Sequence, residues 1–252
     1  MRKTVAMEHR FTFDTAYVNS SNIGEHKLTA VSRSDFASTA AYSSKTSGTS
    51  YFSTFCVELD QNISKNTQYY GSLSYNETTG ETKSTNGKVL TLGAAYLYQQ
   101  FATGALTAQG YAYNYTGTTN NHISTAVMLQ NAIHFLTNPS QGMKKWDNDN
   151  IFLSYLLKIH NNQDYWRTNY NLNQAYTDTW LAEDFSEYAV FVLQVGTGVD
   201  KTKDTVQDQL YMTKVSRSSG DVPEPATMLL WLMGGLSALG YAKKRRKTTS
   251  LA

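Results

Sequence analysis

The sequence predicts an α+β fold: a β-sheet or partial barrel built from N- and C-terminal strands around a central helical segment, followed by a single C-terminal helix of membrane length. Three observations predict it. Apolar and polar residues alternate near both ends of the body, and apolar residues recur at helical spacing between positions 89 and 160. Residues 226–242 then carry no charge and end against a basic cluster.

Taken in order, residues 9–19 alternate well enough for a strand, and residues 27–32 are a second candidate. Residues 43–50 are rich in Ser, Thr and Gly and read as a loop. Residues 51–59 form a strong strand, with 68–75 its expected partner, and 76–87 are polar and turn-rich. The period then lengthens, giving helices at 89–101, 125–136 and 151–160, the last preceded by the capping residues Asp147, Asn148, Asp149 and Asn150. Residues 161–179 are polar and rich in Tyr and Asn, and 188–195 and 209–215 return to strand. The expected organisation is a body at 1–217, a linker at 218–225, and a membrane helix with its basic stop at 226–247.

The chain has 22 basic and 20 acidic residues, a net charge of +2. Without the five basic residues Lys243, Lys244, Arg245, Arg246 and Lys247 the balance is 17 against 20, so the body is mildly acidic and gives no reason to expect nucleic-acid binding. Eighteen Tyr and a charged fraction of 17% suit a β-rich protein that meets sugars or matrix, and equally an ordinary β-containing surface. One Cys excludes an intramolecular disulfide.

The tail has its own physics. As a helix, residues 226–242 reach roughly 25 Å, the short end of the membrane-spanning range. The basic cluster stays cytoplasmic, so the body lies outside. Pro223 and Pro225 hold Glu224 on an extended strip, the shape a processing enzyme needs. Pro223-Glu224-Pro225 followed by Ala226-Thr227-Met228-Leu229-Leu230 resembles the PEP-CTERM sorting signal of exopolysaccharide-making Gram-negative bacteria. The resemblance implies recognition by an exosortase, residence in the inner membrane before cleavage near the Pro-Glu-Pro, and delivery to the cell surface or extracellular matrix. An exported chain needs a leader. Only Thr4-Val5-Ala6-Met7 separates Met1-Arg2-Lys3 from Glu8, too little for a secretory apolar region, so a further N-terminal segment is expected.

In the strand at 51–59, period-2 geometry puts Phe55, Val57 and Leu59 on one face and Thr54, Cys56 and Glu58 on the other, more polar one. Phe55-Cys56-Val57-Glu58 resembles the cysteine motif of bacterial thioester domains found in surface adhesins. Gln130-Asn131-Ala132-Ile133-His134 is similar to that family's Gln-x-Ala-Ile-Trp helix, with His134 where Trp is usual. The resemblance implies an internal thioester between Cys56 and a strand glutamine that follows an apolar residue. Gln194 fits that description, with Gln207 or Gln209 in reserve. It also implies acylation of a target amine, on a neighbouring surface protein or in the matrix. His134 shares a helical face with Gln130 and is expected to hydrogen-bond there, or to shuttle a proton.

Other constellations are weaker. Asp147 and Asp149 suit helix capping better than a calcium loop. His9, His26, His122, His134 and His160 lack zinc-site spacing, and neither a nucleophile elbow nor a phosphate-binding loop is present, so no metal, cofactor or enzymatic activity is expected. Tyr69, Tyr70 and the Tyr residues at 111–115 could stack on sugars or pack. The expectation is an exported, adhesive, non-enzymatic surface or matrix protein. The rivals are a noncovalent carbohydrate-binding or structural biofilm module with an inert Cys56, and a polysaccharide hydrolase drawing on Glu58, Asp60, Glu183 or Asp184.

Overall fold

The computed structural model describes residues 9–14, 25–30, 43–46, 49–58, 61, 63–64, 67–74, 80–107, 111–115, 120–138, 146–170, 172, 188–197 and 206–214. The chain divides into two compact units, Met1–Val215 and Ser216–Ala252, and every described residue belongs to the first. The sorting residues Pro223, Glu224 and Pro225, the apolar run and the basic stop lie outside the described residues. No described helix is long and apolar enough to cross a membrane.

The strands are β1 (His9–Asp14), β2 (His26–Ala30), β3 (Ser43–Thr46), β4 (Thr49–Thr54), β5 (Gln68–Ser74), β6 (Tyr188–Gly196) and β7 (Gln209–Lys214). They form one antiparallel sheet in the order β3-β4-β2-β1-β5-β6-β7. Strands from the two ends of the chain meet where β5 pairs with β6. Two expectations are corrected. Residues 43–50 are not only loop, because Ser43–Thr46 pairs with β4. The 68–75 strand does not pair with the Cys56 strand; it lies between β1 and β6. Turn chemistry at 43–50 hid a hairpin, and strand adjacency in sequence did not translate into adjacency in space.

The sheet curls. β7 is one edge strand and β4 stands next to the other edge, yet the segment continuing β4 hydrogen-bonds to the start of β7, Val57 N–H to Asp208 O at 2.9 Å and Leu210 N–H to Phe55 O at 3.0 Å. Both faces are therefore covered. On β6, Val190 and Val192 belong to one apolar cluster and Leu193 and Val195 to another, as period-2 geometry requires. The second cluster, with Leu28, Phe52, Tyr69 and Tyr211, lines the inner side.

Among the described residues, the helices between β5 and β6 are α1 (Leu92–Ala102), α2 (Asn120–Thr137), α3 (Ile151–Ile159) and α4 (Gln163–Thr168). α1 is buried along its whole length, and Thr91 caps it by accepting the Ala94 N–H at 3.3 Å. It stops at Gly104, whose φ of 76° supplies the left-handed turn that a helix end uses. Asn150 caps α3, accepting from Phe152 and Leu153, while Asp147 accepts the Asp149 N–H at 3.0 Å in the turn before the helix, so Asn150 of the expected set supplies the cap and Asp147 shapes the turn. α4 was not expected within the polar 161–179 stretch; Asn162 starts it, and Trp166 anchors it by donating to the Leu156 and His160 carbonyls, both at 3.0 Å.

Candidate functional site

Cys56 sits where the β4 extension meets β7, directly opposite Gln209 in an isolated antiparallel bridge. The two flanking hydrogen bonds belong to their neighbours, so Cys56 and Gln209 form the narrow, non-hydrogen-bonded kind of pair, in which side chains come closest. The Gln209 amide nitrogen lies 3.2 Å from Cys56 Sγ and also donates to the Gln207 carbonyl at 3.1 Å. Its side-chain oxygen is buried without a hydrogen-bond partner among the described residues. An unpaired buried carbonyl of this kind costs about 1–3 kcal/mol.

In such a pair the backbone N–H and C=O of Cys56 point away from β7. Both are met by one side chain. Gln130 Oε1 accepts the Cys56 N–H at 2.9 Å, and Gln130 Nε2 donates to the Cys56 carbonyl at 2.8 Å. A carboxamide is the side chain that can mimic a strand neighbour in this way, offering one acceptor and one donor side by side. The same face of α2 presents Ile133, buried in the helix-side cluster with Ala132, and Thr137, whose hydroxyl donates to the Val57 carbonyl at 3.3 Å. The helix motif thus holds the cysteine segment rather than acting on the sulfur.

A second group reaches the sulfur. His26, first residue of β2, is buried with Nε2 3.2 Å from Cys56 Sγ. It pairs in register with Thr54, two residues before Cys56, so both side chains fall on the inner face. Two buried carboxylates flank the pair. Asp208 accepts the Val195 N–H at 2.8 Å and the Thr85 N–H. Glu58 accepts the Ser84 hydroxyl at 2.6 Å, and its carbonyl accepts from Gln207 Nε2. Burial pushes the Cys56 thiol well above its ordinary range; the Gln209 hydrogen bond opposes this and the Glu58 and Asp208 charges add to it. Burial also pushes Asp208 up to about 6, against the pull of its backbone donors Thr85 and Val195.

The expected site residues are therefore only partly brought together. Cys56 and Gln130 meet. Gln194 does not reach Cys56: it lies on β6 at the Val190 and Val192 parity, on the sheet's other face, and donates to the Lys83 carbonyl at 3.1 Å. Gln209, held in reserve, occupies that place, while Gln207 turns to Glu58. His134 is half-buried with Asn138 as neighbour at 3.4 Å. The polar face of the Cys56 strand looks inward, so Thr54, Cys56 and Glu58 are all fully buried. Among the tyrosines, Tyr113 is buried edge-on to Phe101 at 4.8 Å and donates to Glu25, and Tyr115 stacks on Phe101 at 5.7 Å, so both are packing groups. Glu58 has buried Asp208 nearby rather than an open cleft, and Asp60, Glu183 and Asp184 lie outside the described residues. Among the described residues, no group of three or more His, Cys, Asp or Glu could hold a metal ion.

His26 was missed because its contact with Cys56 spans 30 positions and leaves no local pattern. Alternation along 27–32 extended one residue back would have placed it on the Leu28 face.

Residues 221–247 match the model of the PEP-CTERM protein-sorting motif. No curated protein and no solved structure matches the chain. The chain thus carries the motif of an exported protein sorted by an exosortase, with a membrane-anchored signal before processing.

Proposed function

We propose that this is an adhesive surface or matrix protein that attaches covalently through an internal thioester between Cys56 and Gln209. The carrying observation is the narrow bridge that sets the Gln209 carboxamide against Cys56 Sγ while Gln130 holds both backbone groups of Cys56. Condensation joins Sγ to the Gln209 side-chain carbonyl carbon and releases ammonia. A primary amine of a partner, a lysine of a surface protein or an amino group in the matrix, then takes the acyl group and frees the thiol. Each chain reacts once, so the protein is not an enzyme. The sorting motif supports the reading, because it delivers the body to where such partners are found.

A fluorescent primary amine tests it. The full chain becomes labelled, Cys56→Ala and Gln209→Ala do not, and Gln194→Ala labels as the parent does. No labelling of the parent, or equal labelling of Cys56→Ala, sinks the proposal.

The complete burial of Cys56 favours a second reading, in which the thiol is only packing and the body binds matrix noncovalently. On that reading Cys56→Ala retains surface attachment in full, whereas the covalent reading has it lost.

A further inference from the structure

We infer that His26 is the acid–base catalyst of this thioester, carrying the Cys56 thiol proton to the departing nitrogen of Gln209. The inference rests on the thioester reading above and names the group that makes its chemistry possible.

Two nitrogens flank one sulfur. His26 Nε2 and Gln209 Nε2 each lie 3.2 Å from Cys56 Sγ, from opposite strands, β2 and β7. The thiol between them is fully buried, and the two carboxylates near it oppose a further negative charge. A free thiolate is therefore a poor starting point in this interior, and a base in contact with the sulfur is needed to remove the proton as the bond forms. Glu58 and Asp208 already accept hydrogen bonds from Ser84, Thr85 and Val195. The imidazole is the titratable side chain placed at hydrogen-bond distance from the sulfur.

The proton accounting closes. Sγ attacks the Gln209 side-chain carbonyl carbon while its proton passes to His26 Nε2. The carbon–nitrogen bond then breaks, and Nε2–H returns that proton to the amide nitrogen, which leaves as ammonia. His26 ends neutral, as it began, and no oxidant or reductant is involved. The same group works when an amine opens the thioester, taking a proton from the attacking nitrogen and giving it to the departing Cys56 sulfur.

His26 is also firmly placed. It pairs with Thr54, whose hydroxyl donates to the Leu210 carbonyl beside Gln209. Its neighbour Glu25 accepts from Tyr113 and lies 3.2 Å from His122 Nε2, fixing the start of β2 to the helical layer. Glu58 and Asp208 act on the sulfur that the imidazole touches, and Glu25, 3.2 Å from His122, is next along the chain.

The test follows mass against time after cell-free synthesis of the full chain in mild detergent, at several pH values. The parent chain should lose one ammonia, faster as rising pH leaves the imidazole neutral. His26→Gln should lose it at least about 100-fold more slowly, the lower end for removing a positioned acid–base group, and without that pH dependence. A His26→Gln chain that loses ammonia within threefold of the parent rate overturns the role of His26 but leaves the thioester intact. A parent chain that never loses ammonia overturns both. Should His26→Gln fail to fold, the parent profile still decides, since a rate that does not change with pH contradicts the inference.

Discussion

Gln130→Leu probes the clamp on which the site depends. The substitution nearly conserves volume, so the cavity contribution is small. It orphans the N–H and C=O of Cys56, both buried, which now bond to Gln130 at 2.9 and 2.8 Å. Two unsatisfied buried backbone groups cost about 1–3 kcal/mol each, and the extra apolar burial of Leu returns about 1 kcal/mol. The net loss is about 3 kcal/mol. With a urea dependence of about 2 kcal/mol per molar for a chain of this size, the midpoint falls by about 1.5 M. Fluorescence of buried Trp146 and Trp166 reports the transition in the Met1–Val215 unit of the full chain. Asn131→Ala, next along the helix but exposed, is the control and should not move the midpoint. A shift below about 0.3 M for Gln130→Leu would refute the claim that the clamp satisfies the cysteine backbone, since that corresponds to well under 1 kcal/mol.

The remaining predictions concern packing and charge. Gly93→Ala should destabilise by about 1–3 kcal/mol despite its better helix propensity, because the added Cβ would lie 2.9 Å from the Trp166 carbonyl oxygen and 3.1 Å from Leu136 Cδ2; thermal unfolding reads it. Asp208 has a folded-state value raised from the ordinary 3.8 to about 6. Its protonation therefore favours folding: the contribution is full below about pH 4, fades as pH rises through about 6, and amounts to at most about 3 kcal/mol. Urea midpoints against pH should show this fall, and Asp208→Asn should flatten it. Glu25→Gln removes the charge opposite His122 in a buried pair and should cost about 3 kcal/mol in the same urea assay, the low end for breaking such a pair, since Gln can still accept from Tyr113.

Much of the fold was legible because local physics decides it. The helices at Leu92–Ala102 and Ile151–Ile159 follow from apolar spacing and from caps at Thr91 and Asn150, and the sheet does draw on both ends of the chain. Alternation also put Cys56 with Thr54 and Glu58, although it could not say that this polar face looks inward. The glutamine that lies against the Cys56 sulfur was not legible from its neighbours. An apolar residue precedes Gln194, whereas Asp208 precedes Gln209, so a local rule points to β6 rather than to the strand that meets the sulfur. What selects Gln209 is a pairing across 153 positions, in which the parity of β7 and the curl of the sheet place its side chain against the sulfur. His26 is hidden for the same reason. Such contacts arise from topology, which residue patterns within a strand do not encode.

The intact mass of the full chain tests the central claim most directly. The account predicts a mass lower than that of the sequence by one ammonia, and a rise by one methylamine on exposure to that amine, with release of the Cys56 thiol. Gln209→Ala should show neither effect, and Gln194→Ala should show both. A mass equal to that of the plain sequence and unmoved by methylamine would contradict the account.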